Sequence, residues 1–291
     1  MSLPPPLQPE MRAVRRAFDR CAAVYDGCDV IGARTRGELL SRLDGVPLEP
    51  GVVLDLGAGT GHATRALRDR FRRARVIAVD ISTPMLAAAR RRASWLRSFD
   101  VVCADATRLP LPDASVDLVY ANLVLPLLAD PDSLLLEARR VLRPRGHLTF
   151  ATLGPDTLEE LRAAWALVDD GPHVHTFPDM HDVGDALVRA GFTAPVLEVD
   201  RVTVTYADVA SLYRDLRGVG AGNRLAGRRR ALTGRGRLAA VASHYESRRT
   251  VEGRLPATCE IVYGHAWCPD GATPARAPRE TVVPLAAIRR R

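Results

Sequence analysis

Short apolar runs alternate with helical segments between residues 50 and 152, and this alternation constrains the fold more than any other feature of the chain. The runs cover 52–56, 76–79, 101–103, 116–121 and 147–152. Helical segments at 63–71, 84–96 and 131–142 separate most of them. Pro84 and Pro131 suit the first turns of two of these helices. Strand, helix and strand repeated at this period predict a parallel sheet with right-handed crossovers.

The flanking segments are predicted to add helices and two further strands. Apolar positions at helical spacing over residues 11–44 predict two helices that join near 25–32. After residue 153, strands are predicted at 195–206 and 258–267, and helices at 157–169, 180–190, 209–216 and 238–249. We therefore expect seven strands, with helical insertions before and after the sixth.

A glycine-rich turn follows the first predicted strand. Residues 53–61 have the sequence VLDLGAGTG, in which Gly57, Gly59 and Gly61 lead into a helix. Glycine lets the backbone approach a ligand closely, and the helix N-terminus behind the turn offers free N–H groups. His62 occupies the third glycine position of a dinucleotide fingerprint, so a pyrophosphate site is disfavoured. The turn favours a nucleoside cofactor, although an ordinary strand-to-helix turn would use the same glycines.

Polar side chains end the next three predicted strands. They are Asp80 after the second strand, Asp105 after the third and Asn122 after the fourth, and the apolar residues Ala106 and Leu123 directly follow the last two. Open α/β sheets bind ligands at this edge, where a carboxylate such as Asp80 suits two ribose hydroxyls. Asp55 lies inside the first strand, where a charge is unfavourable unless it orders the turn or meets a cationic ligand group. Together these positions predict a nucleoside site.

Composition narrows the chemistry. All 41 basic residues are arginine, so the chain offers no lysine for a Schiff base, a general base or a P-loop. The net charge of +7 suits an anionic partner, but the aromatic content of 5% offers few stacking surfaces for single-stranded nucleic acid. No apolar stretch reaches the roughly 18 residues of a membrane span. We expect neither a nucleic-acid nor a membrane partner, and composition leaves the oligomeric state open.

The cysteines and the N-terminus bear on the cellular compartment. The five cysteines lack the C-x-x-C spacing of zinc sites or redox dithiols, and we interpret them as reduced thiols. Residues 1–9 are rich in proline and lack the apolar core of a secretory signal. Both features predict a cytoplasmic protein.

Four segments resemble, in order, the motifs of class I S-adenosylmethionine-dependent methyltransferases. They are VLDLGAGTG (53–61), AVDISTPML (78–86), CADATRLPLPDASVDLVYANL (103–123) and RVLRPRG (140–146). The resemblance covers about residues 50–152. It implies a Rossmann-like α/β fold, with a seven-stranded, mostly parallel sheet and helices on both faces.

This resemblance also implies a cofactor, S-adenosyl-L-methionine, and a product, S-adenosyl-L-homocysteine. The glycines of the turn would hold the amino-acid part, Asp80 the ribose, and Asp105 with Ala106 the adenine. The full set of cofactor-binding residues that we expect comprises Arg16, Tyr25, Asp55, Gly57, Gly59, Gly61, Asp80, Ile81, Met85, Asp105, Ala106, Asn122 and Leu123.

Further segments resemble the BioC family, the malonyl-acyl-carrier-protein O-methyltransferases of biotin synthesis. They are AFDRCAAVYD (17–26), TLGPDTLEELRAAWALVDDGPHVHTF (152–177), DMHDVGDALVRAGF (179–192), LYRDLRGVGAGN (212–223) and LPATCEIVYGHAW (255–267). This resemblance spans about residues 11–268. It implies methyl transfer to the free carboxylate of a malonyl thioester, with an acyl carrier protein as partner.

The domain organisation follows from the same resemblance. We expect an N-terminal helical lid at 1–45 and a methyltransferase domain at 46–291, with insertions at about 153–178 and 207–252 that form a substrate lid. Two alternatives remain open at this point: another small-molecule methyltransferase, or an S-adenosylmethionine-binding assembly factor like the mitochondrial relative associated with arginine hydroxylation. The absence of a recognisable transit segment disfavours the mitochondrial alternative.

The implied reaction requires little acid–base chemistry. A malonyl carboxylate is already ionised at pH 7, so alignment and the exclusion of water are the main tasks of the site. An arginine fork could orient the carboxylate, and the candidates are Arg16, Arg162, Arg217 and Arg224, each of which could instead be a solvated surface residue. The substrate residues that we expect are Tyr25, His175, Phe177, Arg162 and Arg224.

Two further segments carry clustered polar residues. His173, His175, Asp179, His181 and Asp182 match no standard zinc spacing, so we expect no metal there and instead a polar lid in which one histidine contacts substrate. Residues 212–238 hold eight arginines and one aspartate. Such a basic segment could attract the acidic helix of a carrier protein.

Overall fold

A seven-stranded sheet organises the computed structural model, which describes residues 8–93 and 98–271. The strands are β1 (Val52–Leu56), β2 (Arg75–Asp80), β3 (Asp100–Cys103), β4 (Val116–Asn122), β5 (Leu142–Leu153), β6 (Thr193–Tyr206) and β7 (Leu255–Trp267). They lie in the order β3-β2-β1-β4-β5-β7-β6, and β7 runs antiparallel to both of its neighbours. The predicted α/β fold with a mostly parallel sheet is confirmed.

Ten α-helices accompany the sheet in the described ranges. They are α1 (Met11–Cys21), α2 (Tyr25–Cys28), α3 (Val30–Arg42), α4 (His62–Arg70), α5 (Thr83–Arg92), α6 (Pro131–Val141), α7 (Glu159–Ala166), α8 (Met180–Arg189), α9 (Val209–Gly218) and α10 (Arg235–Glu246). Side-chain caps fix several starts, because Ser82, Asp179 and Asp208 each accept a hydrogen bond from an N–H in the first turn of α5, α8 and α9.

Apolar side chains cover both faces of the sheet. Leu54 and Leu56 of β1 belong to a core shared with α6 and α8, whereas Val53 packs on the opposite face with Leu39 of α3 and Leu67 of α4. All five side chains are completely buried. Burial of each such leucine contributes about 1.5–3 kcal/mol, so alternation along β1 stabilises helices on both sides.

The helices of the two insertions form a core of their own. Leu161 and Trp165 of α7 pack with Leu212 of α9, Tyr245 of α10 and Leu255 at the start of β7. We call α7, α9 and α10 the insertion cluster. Helices therefore occur in both predicted insertions, and their role as a substrate lid stays a prediction.

The N-terminal segment differs in detail from the sequence-based expectation. Three helices replace the predicted two, because residues 25–28 form the separate turn α2 and Gly32 lies inside α3. A Cβ at Gly32 would lie 2.0 Å from Asp29 Oδ1. This glycine is therefore needed for the close approach of a carboxylate and does not end a helix.

Some predictions fall on the limits of the described residues. The helix predicted at 84–96 ends at Arg92, and its expected last residue lies outside those ranges, as do residues 1–7 and 272–291. Within the described ranges, no helix is long and apolar enough to cross a membrane. The five cysteines are free thiols.

Candidate active site

Gly57, Gly59 and Gly61 bring the end of β1 against the start of α4. All three have positive φ, at 74°, 52° and 85°, a region that favours glycine. A Cβ at Gly57 would lie 2.2 Å from Val124 Cγ2, and one at Gly61 would lie 2.7 Å from Ala89 Cβ. A Cβ at Gly59 would meet nothing within 4 Å. The first and third glycines thus allow the protein to pack on the turn, whereas the middle one leaves open space beside it.

That open space belongs to a crevice of about 760 Å³, including its mouth, at the carboxyl edge of the sheet. Predicted cofactor residues line it: Tyr25, Gly57, Gly59, Asp80, Ile81, Asp105, Ala106, Asn122 and Leu123. The ends of β1, β2, β3 and β4 all contribute. The structure therefore brings these residues together at the edge where parallel sheets bind ligands.

Asp80 connects the glycine turn to the end of β2. Its Oδ2 accepts a hydrogen bond from Gly59 N at 2.9 Å, and its Oδ1 accepts one from Ser82 N at 2.8 Å. Burial raises the pKa of Asp80, and these N–H donors partly oppose that effect. Each carboxylate oxygen can accept a further hydrogen bond. Asp80 can therefore hold the turn and accept ligand hydroxyls at the same time.

Asp55 and Met85 do not belong to the lining of the crevice. Asp55 Oδ2 accepts a hydrogen bond from Thr64 Oγ1 at 2.5 Å, and burial raises the pKa of Asp55 to about 7. This bond joins β1 to α4 across the glycine turn, so Asp55 orders the turn. Met85 is completely buried in α5 and does not line the crevice. The expected contact of Met85 with the cofactor is therefore corrected to a packing role.

A smaller polar recess adjoins the crevice beside the glycine turn. Its polar lining includes Asp29, Arg36, Asp55, His62 and Asn122. Arg36 Nη1 donates to Asp29 Oδ2 at 3.2 Å, and Asn122 Nδ2 donates to Gly32 O at 3.1 Å. Asn122 Oδ1 is buried without a hydrogen-bond partner among the described residues. An unpaired buried amide oxygen is costly, so a ligand N–H group would fit there.

No sequence pattern predicted Asp29, Arg36 or His62 as site residues. Burial raises the pKa of Asp29, while Arg36 lowers it; burial and the charge of Arg92 both lower the pKa of His62. His62 follows the glycine turn directly, which is a local signal that could have identified it. Asp29 and Arg36 reach the recess because α3 packs on the sheet, and this placement has no local signature.

The first two helices form a roof over the crevice. Met11, Val14 and Phe18 of α1 and Tyr25 of α2 line it. The rings of Phe18 and Tyr25 lie 6.3 Å apart. Burial raises the pKa of Tyr25 above its usual value, and the charge of Asp29 adds to this effect, so the phenol is neutral at pH 7.

Arg16 does not reach the crevice. The buried face of α1 consists of Val14, Ala17 and Cys21, and Arg16 projects into solvent away from that face. The expectation that Arg16 contacts the cofactor is therefore not supported by its position.

The predicted substrate residues of the insertions lie together but apart from the crevice. The described lining of the crevice includes none of them: Arg162, His175, Phe177 and Arg224. His175 Nε2 accepts a hydrogen bond from Arg224 N at 3.3 Å, and the His175 and Phe177 rings are 6.3 Å apart. Burial, with a smaller effect of the Arg224 charge, lowers the pKa of His175 to about 4. His175 is therefore neutral at pH 7.

The two candidate arginines differ in their partners. Arg162 donates to the carbonyl oxygens of Pro155 and Thr157, both at 3.0 Å, and of His175 at 3.4 Å. Its guanidinium joins segments of the protein, which corrects the expectation that it binds a carboxylate. Arg224 has no carboxylate partner among the described residues, and burial lowers its pKa. The Nε atom of each arginine is buried without a partner among the described residues, but the Arg224 guanidinium donates only to Asn223 O there and so retains more donors for an anion than Arg162.

The segment that carries Arg224 lies along α1. Glu10 N donates to Arg224 O at 2.8 Å, and a Cβ at Gly220 would lie 3.4 Å from both Phe18 Cε1 and Cys21 Sγ. Phe18 also lines the crevice, so this segment lies close to a residue of the crevice wall. Arg217, another candidate, is exposed on α9.

The histidine-rich segment makes contacts within the protein. His173 Nε2 lies 2.5 Å from Asp169 Oδ1, and the imidazole stacks on Trp165 at 3.5 Å between centroids. Asp179 caps α8, and His181 is exposed. Within the described ranges, no group of three or more potential ligands could hold a metal ion.

The crevice offers carboxylates, backbone groups and apolar walls. Its described lining contains no histidine or cysteine, so it presents no nucleophile paired with a base. The acceptors at Asp80 and Asp105 suit hydroxyl and amino groups, and the unpaired Asn122 Oδ1 suits an ammonium. These features fit a nucleoside joined to an amino acid.

Comparison with known proteins agrees with this fit. A family model described as "Methyltransferase domain" matches residues 54–150. The fold is similar to that of the YcgJ protein from Bacillus subtilis, with a TM-score of 0.59 and 17% identity over 82% of this chain and 100% of that chain. It is also similar to a Haemonchus contortus phosphoethanolamine N-methyltransferase 2 in complex with S-adenosyl-L-methionine, with a TM-score of 0.55 and 17% identity over 88% and 60% of the two chains. Fold and site define a class I S-adenosylmethionine-dependent methyltransferase.

Curated relatives narrow the class. Malonyl-[acyl-carrier protein] O-methyltransferases from Methylovorus sp. and Halorhodospira halophila are each 49% identical, over 90% and 92% of this chain and 93% and 91% of theirs. One from Coxiella burnetii is 39% identical over 98% of both chains. This chain belongs to the malonyl-[acyl-carrier protein] O-methyltransferase family.

Proposed function

We propose that this methyltransferase esterifies the free carboxylate of a malonyl thioester carried on an acyl carrier protein, and that the ester starts biotin synthesis in the cytoplasm. The main support is the similarity to relatives of that name along almost the whole chain. When bound, S-adenosylmethionine supplies a methyl group on a sulfonium: the carboxylate oxygen bonds to this carbon as the S–CH3 bond breaks, and the electron pair goes to sulfur.

The character of the site is consistent with a nucleophile that is ionised before it binds. A carboxylate nucleophile needs no general base, and the described lining of the crevice contains no histidine that could act as one. The neutral Tyr25 lines both the crevice and the polar recess beside it. In the proposed complex Tyr25 and Phe18 exclude water above the methyl group, which strengthens electrostatic interactions inside the site.

Arg224 is the proposed cation for the malonyl carboxylate. It is half-buried, has no carboxylate partner in the described ranges, and lies on a segment that contacts α1 beside Phe18. A guanidinium in such a position can bind a carboxylate with two parallel hydrogen bonds. His175 accepts from the backbone of Arg224 and would fix the position of this residue.

The proposed carrier contact lies on the basic segment 212–238. Arg228 and Arg230 form ion pairs with Glu10, and Arg237 pairs with Asp169, so these charges already have partners. Arg229 and Arg235 are exposed and have no ion pair among the described residues. They are the better candidates for long-range attraction of an acidic carrier protein.

Methyl transfer from labelled cofactor to malonyl-carrier protein tests the proposed reaction. We expect label in a base-labile methyl ester with the malonyl carrier and none with an acetyl carrier, which lacks a free carboxylate. Cofactor binding without ester formation on any malonyl thioester would refute the proposed substrate and favour a binding protein.

Exchange of Arg229 and Arg235 for serine tests the carrier contact. At low salt we expect kcat/KM for malonyl-carrier protein to fall about tenfold through slower association, and kcat/KM for malonyl-coenzyme A to stay unchanged. The matched control replaces the exposed pair Arg72 and Arg73, after α4, with serine. An equal loss with both substrates would contradict the docking proposal.

A further inference from the structure

We propose that Asp26 is a positioning residue that fastens α2, and with it Tyr25, over the bound cofactor. The proposal rests on the crevice as the cofactor site. Tyr25 directly precedes Asp26 and lines both the crevice and the polar recess. The position of Asp26 thus determines whether Tyr25 covers the site.

Asp26 joins the roof to the glycine turn and to α5 through three partners. Its Oδ1 accepts a hydrogen bond from Thr60 Oγ1 at 2.6 Å and lies 3.4 Å from His62 Nε2. Its Oδ2 accepts one from Arg92 Nη2. Arg92 Nε also donates to Thr60 O at 2.8 Å. The carboxylate therefore completes a ring of contacts with the same turn that borders the crevice.

Apolar burial contributes less to the position of α2 than to that of α1. None of the four residues of α2 is fully buried, and no side chain caps its start. By contrast, α1 buries Val14, Ala17 and Cys21 against the body of the protein. The loss of the Asp26 contacts should consequently free α2 while α1 stays in place.

We call the contacts of Asp26 with Thr60, His62 and Arg92 the latch. Its charges suit a reversible closure of the roof. Partial burial opposes ionisation of Asp26, but the Thr60 hydrogen bond and the charge of Arg92 outweigh it and lower the pKa of Asp26. The Asp26 and Arg92 side chains are 42% and 26% exposed. Water and salt can therefore compete with the ion pair, so the latch can open without unfolding of the core.

A second carboxylate fastens α1 to the other turn that borders the crevice. Asp19 Oδ1 accepts a hydrogen bond from Ser82 Oγ at 2.7 Å, and Ser82 N donates to Asp80. The roof thus contacts the turns after β1 and after β2. Cofactor that is held by both turns would stabilise the closed roof, and the closed roof would slow its release.

The rate of cofactor release tests this role. Labelled S-adenosylhomocysteine and S-adenosylmethionine are chased from the full-length protein, for wild type and for the Asp26→Asn, Arg92→Gln and double variants. We expect release to accelerate about tenfold in each single variant, which corresponds to about 1.4 kcal/mol, and no further in the double variant. Wild-type release should also accelerate with salt, and release from the variants should not.

A matched control separates the latch from general surface charge. The ion pair Arg70–Asp44 also fastens an N-terminal segment to α4, at 2.5 Å, and Asp44→Asn should leave release unchanged. Thr60→Val, which removes one donor to Asp26, provides a second test if Asp26→Asn folds poorly. Lower thermal stability with release within about twofold of wild type would overturn the proposal. A wild-type protein that binds no cofactor would instead refute the crevice as the site.

Discussion

The crevice and the insertion cluster differ in how far apart in the chain the residues that build them lie. The crevice consists largely of strand ends and turns from residues 53–123, whose backbone and side chains face open space. In the insertion cluster, polar side chains bind partners in other segments: Trp165 Nε1 donates to Tyr213 Oη at 2.9 Å, and Arg237 Nη1 donates to Asp169 Oδ2 at 3.2 Å. Motifs with short spacing can define the first region, whereas the second depends on contacts between segments far apart in the chain.

Gly57→Ala should have the largest effect, because it would disrupt the backbone on which the crevice is built. Its Cβ would lie 2.2 Å from Val124 Cγ2 at a φ of 74°. Overpacking costs about 1–3 kcal/mol and a left-handed conformation of alanine about 1–2 kcal/mol. We expect the free energy of unfolding, measured with urea, to fall by the sum of these costs.

Gly59→Ala is the matched variant for Gly57→Ala. Its Cβ would meet no protein atom within 4 Å, so only the left-handed φ of 52° should affect stability. Cofactor affinity measured by calorimetry should fall at least about tenfold, because the new alanine side chain would occupy the ligand side of the turn. Equal losses of stability in the two variants would contradict the assigned difference between them.

The next largest effect is a loss of stability when Arg162, in the first insertion, is replaced. Arg162→Met removes three hydrogen bonds to carbonyl oxygens, and we expect a loss of about 2–3 kcal/mol of unfolding free energy, the range for bonds to charged groups. Arg224→Met should change stability by less than about 1 kcal/mol and raise KM for the malonyl thioester, because we propose that its guanidinium binds the substrate carboxylate. A reversed pattern would show that the two arginines were assigned the wrong way round.

In the crevice, Asp80→Ala should have an effect of intermediate size on cofactor binding. We expect cofactor affinity to fall by about 1–3 kcal/mol, the cost of a lost buried hydrogen-bond partner. Part of the loss would come from Gly59, whose N–H donates to this carboxylate. Calorimetry with Asp80→Asn, which keeps one acceptor oxygen, should give a smaller loss, and unchanged affinity in both would refute the assignment.

The smallest expected effect is the pH dependence of stability that comes from buried histidines, His147 in the sheet and His175 in the first insertion. Burial lowers the pKa of His147 in β5 to about 4, as it does for His175, but the ring nitrogens of His147 have no partner among the described residues. His147 is protonated near pH 6.5 in the unfolded chain and near pH 4 in the folded protein. Stability is therefore complete above pH 6.5 and declines as the pH falls towards 4.

His147→Leu should remove the part of this acid sensitivity that comes from His147. At pH 5.5 the variant should be more stable than wild type by about 1–2 kcal/mol relative to their difference at pH 7.5. Urea unfolding at the two pH values measures the change. If the pH dependence is unchanged, His175 or another group controls acid unfolding.

Much of the fold could be predicted because apolar alternation and glycine spacing act locally. Leu54 and Leu56 alternate with Val53, and this pattern by itself requires two covered faces. Gly57, Gly59 and Asp80 belong to short motifs, so the predicted cofactor positions line one crevice. The exposed position of Arg16 could not be predicted, because the helical face that it occupies depends on which side of α1 is buried.

The sequence by itself determined the sheet, the glycine turn and the polar strand ends, because each follows from spacing within a few residues. Only the tertiary structure decided that Asp29 and Arg36 border the recess, that Arg162 joins backbone segments, and that Asp26 reaches Arg92. The contact of Asp26 with Arg92 and the position of α3 at the recess bring together segments that are far apart in the chain. Packing creates such neighbours, and no local pattern records them.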